Sequence, residues 1–415
     1  MELISPAGCE MTAPSNDSRD YSGLPVFFRI ACNMAARLRY GSLRFILPDG
    51  RDLVFTGAEE TDSQGIILVR DFAFARRSVL GGDIGFFESY ADGEWDSPSV
   101  TDVLYIFARN ADIVKEAFSK TPLIALFERI RHNFVNKNTR AGSRRNIMAH
   151  YDLGNAFYEK WLDRTMTYSS ARFGDGARNL AAAQTNKYRM LARSIDLKPG
   201  ESVLEIGSGW GGFAEFAARE IGANVTGLTI SPAQLDYARR RIQREGLGER
   251  VDFKLLDYRD AQGAFDKVAS IEMFEAVGRE YWPQYFAKVR DLLKPGGAAG
   301  IQTITIADRF FERYSRSTDF IKRYVFPGGM LPSEGALKTE VTRAGLAWQD
   351  AAAFGKDYAA TLAEWRRRFL GAWDEIVALG FDDKFKKLWQ FYLSYCEAGF
   401  KAATTDVLQI RLARP

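Results

Sequence analysis

From about residue 196 the chain alternates short apolar runs with segments of helical periodicity, and this alternation narrows the possible folds more than any other feature. SVLEIGS, NVTGLTI, VDFKLLD, KVASIEM and GAAGIQTITI read as strands, while GGFAEFAAREI, PAQLDYARRRIQRE and YWPQYFAKVRDLL read as helices between them. Repeated βαβ units pack as a parallel sheet with helices on both faces. An α/β fold with a Rossmann-like, mostly parallel sheet is therefore expected. From about residue 307 the chain turns helix-rich and aromatic, through FIKRYVFPGG, YAATLAEWRRRFLGAW and FKKLWQFYLSYCEAGF.

The first strand of the alternation runs into Glu205-Ile-Gly207-Ser-Gly209-Trp-Gly211-Gly212 and then a helix. Glycines there let the backbone turn tightly and approach a ligand closely. A dinucleotide site needs an acid for the ribose about 20 residues further on, but the second strand ends in GLTIS, with Thr229 and no acid. The acid instead precedes the glycines, at Glu205, the arrangement of methyltransferases that use S-adenosylmethionine. Asp257, at the end of the third strand, is placed to accept a hydrogen bond from an adenine amine.

Other chemistries have little to work with. The chain has two histidines, His132 and His150, and three widely spaced cysteines, Cys9, Cys32 and Cys396, which leaves no metal-ligand spacing and no basis for a Ser-His-Asp triad. A reducing cytosol fits that cysteine usage. The net charge of +3 is too small to point to nucleic acid. No stretch reaches the roughly 18 apolar residues of a membrane span, so membrane contact is expected to be peripheral. The aromatic share of 13%, with 30 Phe and 17 Tyr, is high and fits an apolar cavity.

The 415 residues divide by composition into four parts. Residues 1–20 read as a disordered tail. Residues 21–120 read as a small N-terminal α+β domain for lipid binding or scaffolding. It opens on a helix at FFRIACNMAARL and continues through a hairpin at PDG, a second strand pair near GIILVR, and helices with a turn at DSPS. Residues 121–149 form a linker in which Arg129, Arg131, Lys137, Arg140, Arg144 and Arg145 occur without an acid between them. Such a run is either a solvated linker or a surface for anionic membrane phosphates, with Phe134 and Val135 dipping into the interface. Residues 150–415 form the catalytic domain.

HYDLGNAFYEKWLDRTMTYSSARF, VLEIGSGWGGFAEFAA, GLTISPAQLDYA, DYRD, SIEMFEAVG, YVFPGGMLPS, FGKDYAATLAEWRRRF and YCEAGF follow one another between residues 150 and 401. In these segments and their order the chain resembles the cyclopropane-fatty-acyl-phospholipid synthases and their mycolic-acid relatives. The N-terminal part resembles that of the bacterial phospholipid-acting branch. The resemblance implies a class I methyltransferase domain with a helical cover over an acyl tunnel, a homodimer, and work on unsaturated phospholipid acyl chains at the inner face of the membrane. It implies that the alkene attacks the sulfonium methyl and leaves a carbocation, which dry walls and π-faces or carboxylates would protect.

Residue by residue, the resemblance assigns Tyr168 and Ser169 to the methionine part of the cofactor and Gly207 and Gly209 to close backbone approach. Thr229, Ile230 and Gln234 would surround ribose and adenine, with Asp257 and Tyr258 at the adenine. Family members hold a bicarbonate ion as proton acceptor. Its partners would correspond to Glu275, Tyr358, Gln302, the backbone of Ile304, and Ser170. Three positions depart from the family pattern: Ser170 stands for cysteine, Ala276 for histidine and Gln302 for histidine. Glutamine can donate a hydrogen bond to an anion but cannot carry charge, which weakens bicarbonate binding by about 1–2 kcal/mol. Two products are thus open. Proton loss from the transferred methyl closes a cyclopropane ring, and proton loss from the chain gives a methyl-branched alkene. Methylation of another small molecule or of RNA, and a non-catalytic lipid-binding role, are the other classes. The intact glycine loop, Glu275 and Tyr358 speak against the last.

Overall fold

The computed structural model describes residues 21, 23–113, 153–174 and 176–415. The N-terminal tail, the basic segment 129–145 and His150 lie outside the described residues, as do the expected domain limits near 120 and 150.

The larger sheet has seven strands, β5 (Ser202–Ile206), β6 (Asn224–Thr229), β7 (Val251–Leu255), β8 (Phe265–Ile271), β9 (Leu293–Ile306), β10 (Ala347–Ala353) and β11 (Thr405–Ala413), in the order β10-β11-β9-β8-β5-β6-β7. Strands β5 to β9 pair in parallel, while β11 runs antiparallel to both β9 and β10. Strand β5 is central because its Val203, Leu204 and Ile206 are buried and both edges are paired. After it the chain winds outward through β6 and β7, then returns to the other side for β8 and β9. The strand order reverses at β5 and β8, which is where an open α/β sheet forms its ligand crevice. Helix starts here are chemically marked: Asn179, Ser231 and Ser333 each cap a helix through the side chain, and Pro232 follows Ser231 at the first helical position.

Strands β10 and β11 were not expected from the sequence pattern. AWQDAAA is poor in β-branched residues, and Gln409 and Arg411 interrupt the apolar run of β11. Ladder pairing supplies what propensity does not: β11 matches β9 residue for residue from Thr405↔Ile306 to Ala413↔Ala298.

The smaller sheet has four strands, β1 (Tyr40–Ile46), β2 (Asp52–Thr56), β3 (Glu59–Val69) and β4 (Trp95–Asp96), in the order β2-β1-β3-β4. The hairpin expected at PDG joins β1 to β2. GIILV of the second expected strand pair lies in β3, which runs parallel to β1 and pairs antiparallel at its end with Trp95 and Asp96. The helix Ala73–Ala91 continues from this sheet, kinked where Gly82 takes φ 60°.

One apolar core joins this part to the helical cover formed by Gly355–Gly371 and Asp383–Lys401. Phe86 and Phe87 pack against Phe391, at ring-centroid distances of 6.2 and 5.2 Å, and Phe87 also meets Phe320 at 4.7 Å. Polar contacts close the same junction. Asp83 accepts from the Phe320 N–H and the Tyr395 hydroxyl, and Lys387 donates to the Tyr90 carbonyl at 2.9 Å. Because Phe391 is fully buried where the two parts meet, Phe391→Ala is expected to cost about 3–5 kcal/mol. Urea denaturation should show one transition shifted as a whole, since both parts share the damaged core.

Candidate functional site

A cavity of about 840 Å³ opens at the C-terminal ends of β5 and β8 and extends to the N-terminal sheet. All ten residues expected to bind the cofactor line it: Tyr168, Ser169, Glu205, Gly207, Gly209, Thr229, Ile230, Gln234, Asp257 and Tyr258. Gly207 adopts φ 83°, and a Cβ built there would stand 2.7 Å from Met273 Cγ, so the turn has no room for a side chain. Tyr168 donates to or accepts from the Tyr392 hydroxyl at 2.8 Å and packs on Trp365. Thr229 donates to Gln234 Oε1, which orders the end of β6 against the following helix. Asp257 differs from expectation: both its oxygens accept from Arg259, in a fork with distances of 2.9 and 2.6 Å. An adenine amine would share that carboxylate with Arg259, whose backbone N–H also donates to Oδ1 at 3.0 Å.

Glu205 is buried, and its Oε2 has no hydrogen-bond partner among the described residues. Burial pushes its pKa well above the usual carboxylate range, against the pull of Lys187 and Arg241. A buried carboxylate with an open oxygen fits a cationic amine. S-adenosylmethionine carries an ammonium at its methionine end, so Glu205 with Ser169 and Tyr168 would hold that end, and the glycine loop, Thr229 to Gln234 and Asp257 the rest.

The expected anion site is built differently. Gln302 and Ser170 are both fully buried, and neither lines the cavity. Their donors meet on a carboxylate that the sequence reading passed over, Glu272. The Ser170 N–H and Gln302 Nε2 donate to Glu272 Oε1 at 2.8 and 2.7 Å, and the Tyr358 hydroxyl donates to Oε2 at 2.6 Å. Ser170 thus contributes its backbone amide, while its hydroxyl donates to the Ala171 carbonyl. Glu275 does not join this group as expected. It accepts from Thr303 Oγ1 and from the Ile304 N–H, and its Oε2 has no partner among the described residues. The physical reason is the turn Phe274–Ala276, which separates the two carboxylates and leaves Glu275 beside β9 and Glu272 at the end of β8.

Burial raises the pKa of both acids. Glu275 is pushed up to about 8, chiefly by desolvation and next by the charge of Glu272. Glu272 is raised by desolvation but drawn back by Lys187, Tyr358, Ser170 and Gln302. Lys187 was also missed. It is fully buried on the helix Leu180–Ser194, donates to Ser169 Oγ at 2.5 Å, and is lowered by burial to about 7 against the charges of Glu272, Asp163 and Glu205. The available signal was a lysine on the apolar face of LAAAQTNKYRMLARS. Glu272 had a weaker one, an acid inside SIEMFEA where strand apolarity was expected to persist.

The mostly parallel seven-stranded sheet, the glycine loop after its first strand and the open Oε2 of Glu205 define a class I, S-adenosylmethionine-dependent methyltransferase. The chain belongs to the mycolic acid cyclopropane synthetase family, whose model matches residues 138–410. It is 40% identical over 383 residues to the tuberculostearic acid methyltransferase UfaA1 of Mycobacterium tuberculosis, covering 90% of this chain and 88% of the relative. It is 36% identical over 364 residues to the cyclopropane-fatty-acyl-phospholipid synthase of Escherichia coli strain K12, covering 84% and 87%. The mycolic acid cyclopropane synthase CmaA1, solved with S-adenosylhomocysteine and CTAB, superposes with a TM-score of 0.61 at 27% identity, over 65% of this chain and 98% of that one.

Two outcomes are expected from this geometry. Gly207→Ala should weaken S-adenosylmethionine binding at least tenfold by calorimetry, because the added methyl strikes Met273 and the left-handed φ is strained. Glu275, with a folded pKa near 8 against an ordinary 4.5, binds an extra proton in the folded state between those values. Its stabilising effect is complete below pH 4.5 and lost as pH rises through about 8. Glu275→Gln, which mimics the neutral acid, should flatten that fall in a pH series of urea midpoints.

Proposed function

We propose that the protein transfers the methyl group of S-adenosylmethionine to the double bond of an unsaturated acyl chain carried on a membrane phospholipid. The observation that carries this reading is the single cavity that joins the cofactor residues to apolar walls. Phe74, Phe86 and Phe107 line it from the N-terminal part, Tyr392 and Phe400 from the helical cover, and Phe326 from the segment after β9. At about 840 Å³ it lies near the upper end of small-molecule sites. S-adenosylmethionine supplies an electrophilic methyl. The chain supplies dry walls, the stacked rings of Tyr358 and Phe400 at 4.4 Å, and the carboxylates of Glu272 and Glu275. These are the groups that stabilise a carbocation and remove its proton.

A methyl-branched acyl chain is the product this site favours. It supports that reading that Ala276 and Gln302 stand where the family pattern has histidines, that the expected anion pocket holds Glu272, and that a tuberculostearic acid methyltransferase is 40% identical. Ring closure is the second reading, favoured by the 36% identical cyclopropane synthase.

Incubation with methyl-labelled S-adenosylmethionine and vesicles of unsaturated phospholipid should place label in the acyl fraction. Proton NMR of the purified lipid should then show alkene signals from a branched chain. Upfield cyclopropane signals would replace the first reading by the second, and label absent from lipid would remove both.

A further inference from the structure

Ser170, Gln302 and Tyr358 converge three hydrogen-bond donors on one point, which is the composition of an anion site. That point is filled by the side chain of Glu272. Both Glu272 and Tyr358 line the cavity, whereas the other two donors lie behind the carboxylate. A bicarbonate ion fits poorly here. To reach the Ser170 N–H and Gln302 Nε2 it would have to displace Glu272, and it would then lie among Glu272 and Glu275 as a third anion or acid. The site is complete without it.

The backbone at Glu272 reinforces this reading. The residue holds φ 48°, a left-handed conformation that costs a non-glycine residue about 1–3 kcal/mol. Its own N–H is tied to the Gln302 carbonyl at 2.8 Å, so the strained turn is locked to β9. Glycine would take this conformation freely, yet the position carries an acid. The orientation of Gln302 is also determined. A carboxylate only accepts, so Nε2 faces Glu272 and Oε1 accepts from Gln409 Nε2 at 2.9 Å.

We propose that Glu272 is the built-in proton acceptor of the reaction and replaces a dissociable bicarbonate. The inference rests on the methyl-transfer reading above. The alkene π pair forms the new bond to the methyl carbon while the carbon–sulfur pair remains on sulfur, leaving a cation on the neighbouring chain carbon. A Glu272 oxygen takes a proton from a carbon adjacent to the cation, and the freed carbon–hydrogen pair becomes the new π bond. In the ring-closing variant the proton comes from the transferred methyl and the pair becomes a carbon–carbon bond. Ser170, Gln302 and Tyr358 are positioning residues that hold the carboxylate against the cavity.

The test compares wild type, Glu272→Gly and Glu272→Gln in buffer stripped of carbon dioxide, with and without added sodium bicarbonate or formate. Lipid product and S-adenosylhomocysteine are both measured. Wild type is expected to turn over equally with and without bicarbonate. Both variants should lose about 10²- to 10⁴-fold in lipid product, with S-adenosylmethionine affinity by calorimetry confirming an intact fold. Glu272→Gly alone should regain activity with bicarbonate or formate, because it opens the three donors to the cavity. In NMR titrations, ¹³C-bicarbonate should bind Glu272→Gly and not wild type. A bicarbonate requirement in wild type, or undiminished product from a folded Glu272 variant, would overturn the proposal. If wild type makes no methylated lipid at all, the methyl-transfer reading fails, and the bicarbonate titration still decides whether Glu272 closes the anion site.

Discussion

The hydrogen bonds around Glu272 hold together the parts of this molecule that must meet for chemistry to occur. Through one carboxylate they join the segment 167–173, the end of β8, strand β9 and the helix Gly355–Gly371. The three donors, Ser170, Gln302 and Tyr358, lie 102, 30 and 86 residues from Glu272 in sequence. Charge-assisted hydrogen bonds in a buried setting are short and strong, and removing one partner leaves a costly unpaired group. The helical cover is therefore registered on the sheet by a polar contact at the site itself, while aromatic packing around Phe391 and Trp365 supplies the less specific attraction.

The charge balance of the cavity follows from the same burial. Glu205, Glu272 and Glu275 face it, and the buried Lys187 that opposes the charge of Glu205 and Glu272 is itself lowered to about 7. In a low-dielectric pocket such a surplus of acids is tolerated either by protonation or by a cationic occupant. Glu275 takes the first course, with its pKa pushed up to about 8. Glu205 has an open oxygen for the second. A sulfonium cofactor with an ammonium group, and a substrate that passes through a cation, suit a pocket of this sign.

Much of the fold was legible because parallel strands buried on both faces read as continuous apolar runs, and their helices keep a 3.6-residue period. The ten positions expected to bind the cofactor came largely from the family resemblance, and all of them line one cavity. Strands β10 and β11 escaped because their stability comes from pairing with β9 rather than from propensity. The partners of GIILVR were not legible, because its neighbours in sequence are not its main partners in the sheet.

At the site, the sequence by itself determined which donors were present: the amide at Ser170, the glutamine at 302 and the phenol at Tyr358. It also determined that the histidines of the family pattern were gone, since that is a matter of residue identity. Only the tertiary structure decided which acid those donors serve. Glu272 and Glu275 are three residues apart in SIEMFEA, and a reading by position alone chose Glu275. The left-handed turn at Glu272 and the short turn after it send one carboxylate to Ser170, Gln302 and Tyr358 and the other to Thr303 and Ile304. That choice depends on backbone torsion and on contacts between segments far apart in the chain, which no local pattern encodes.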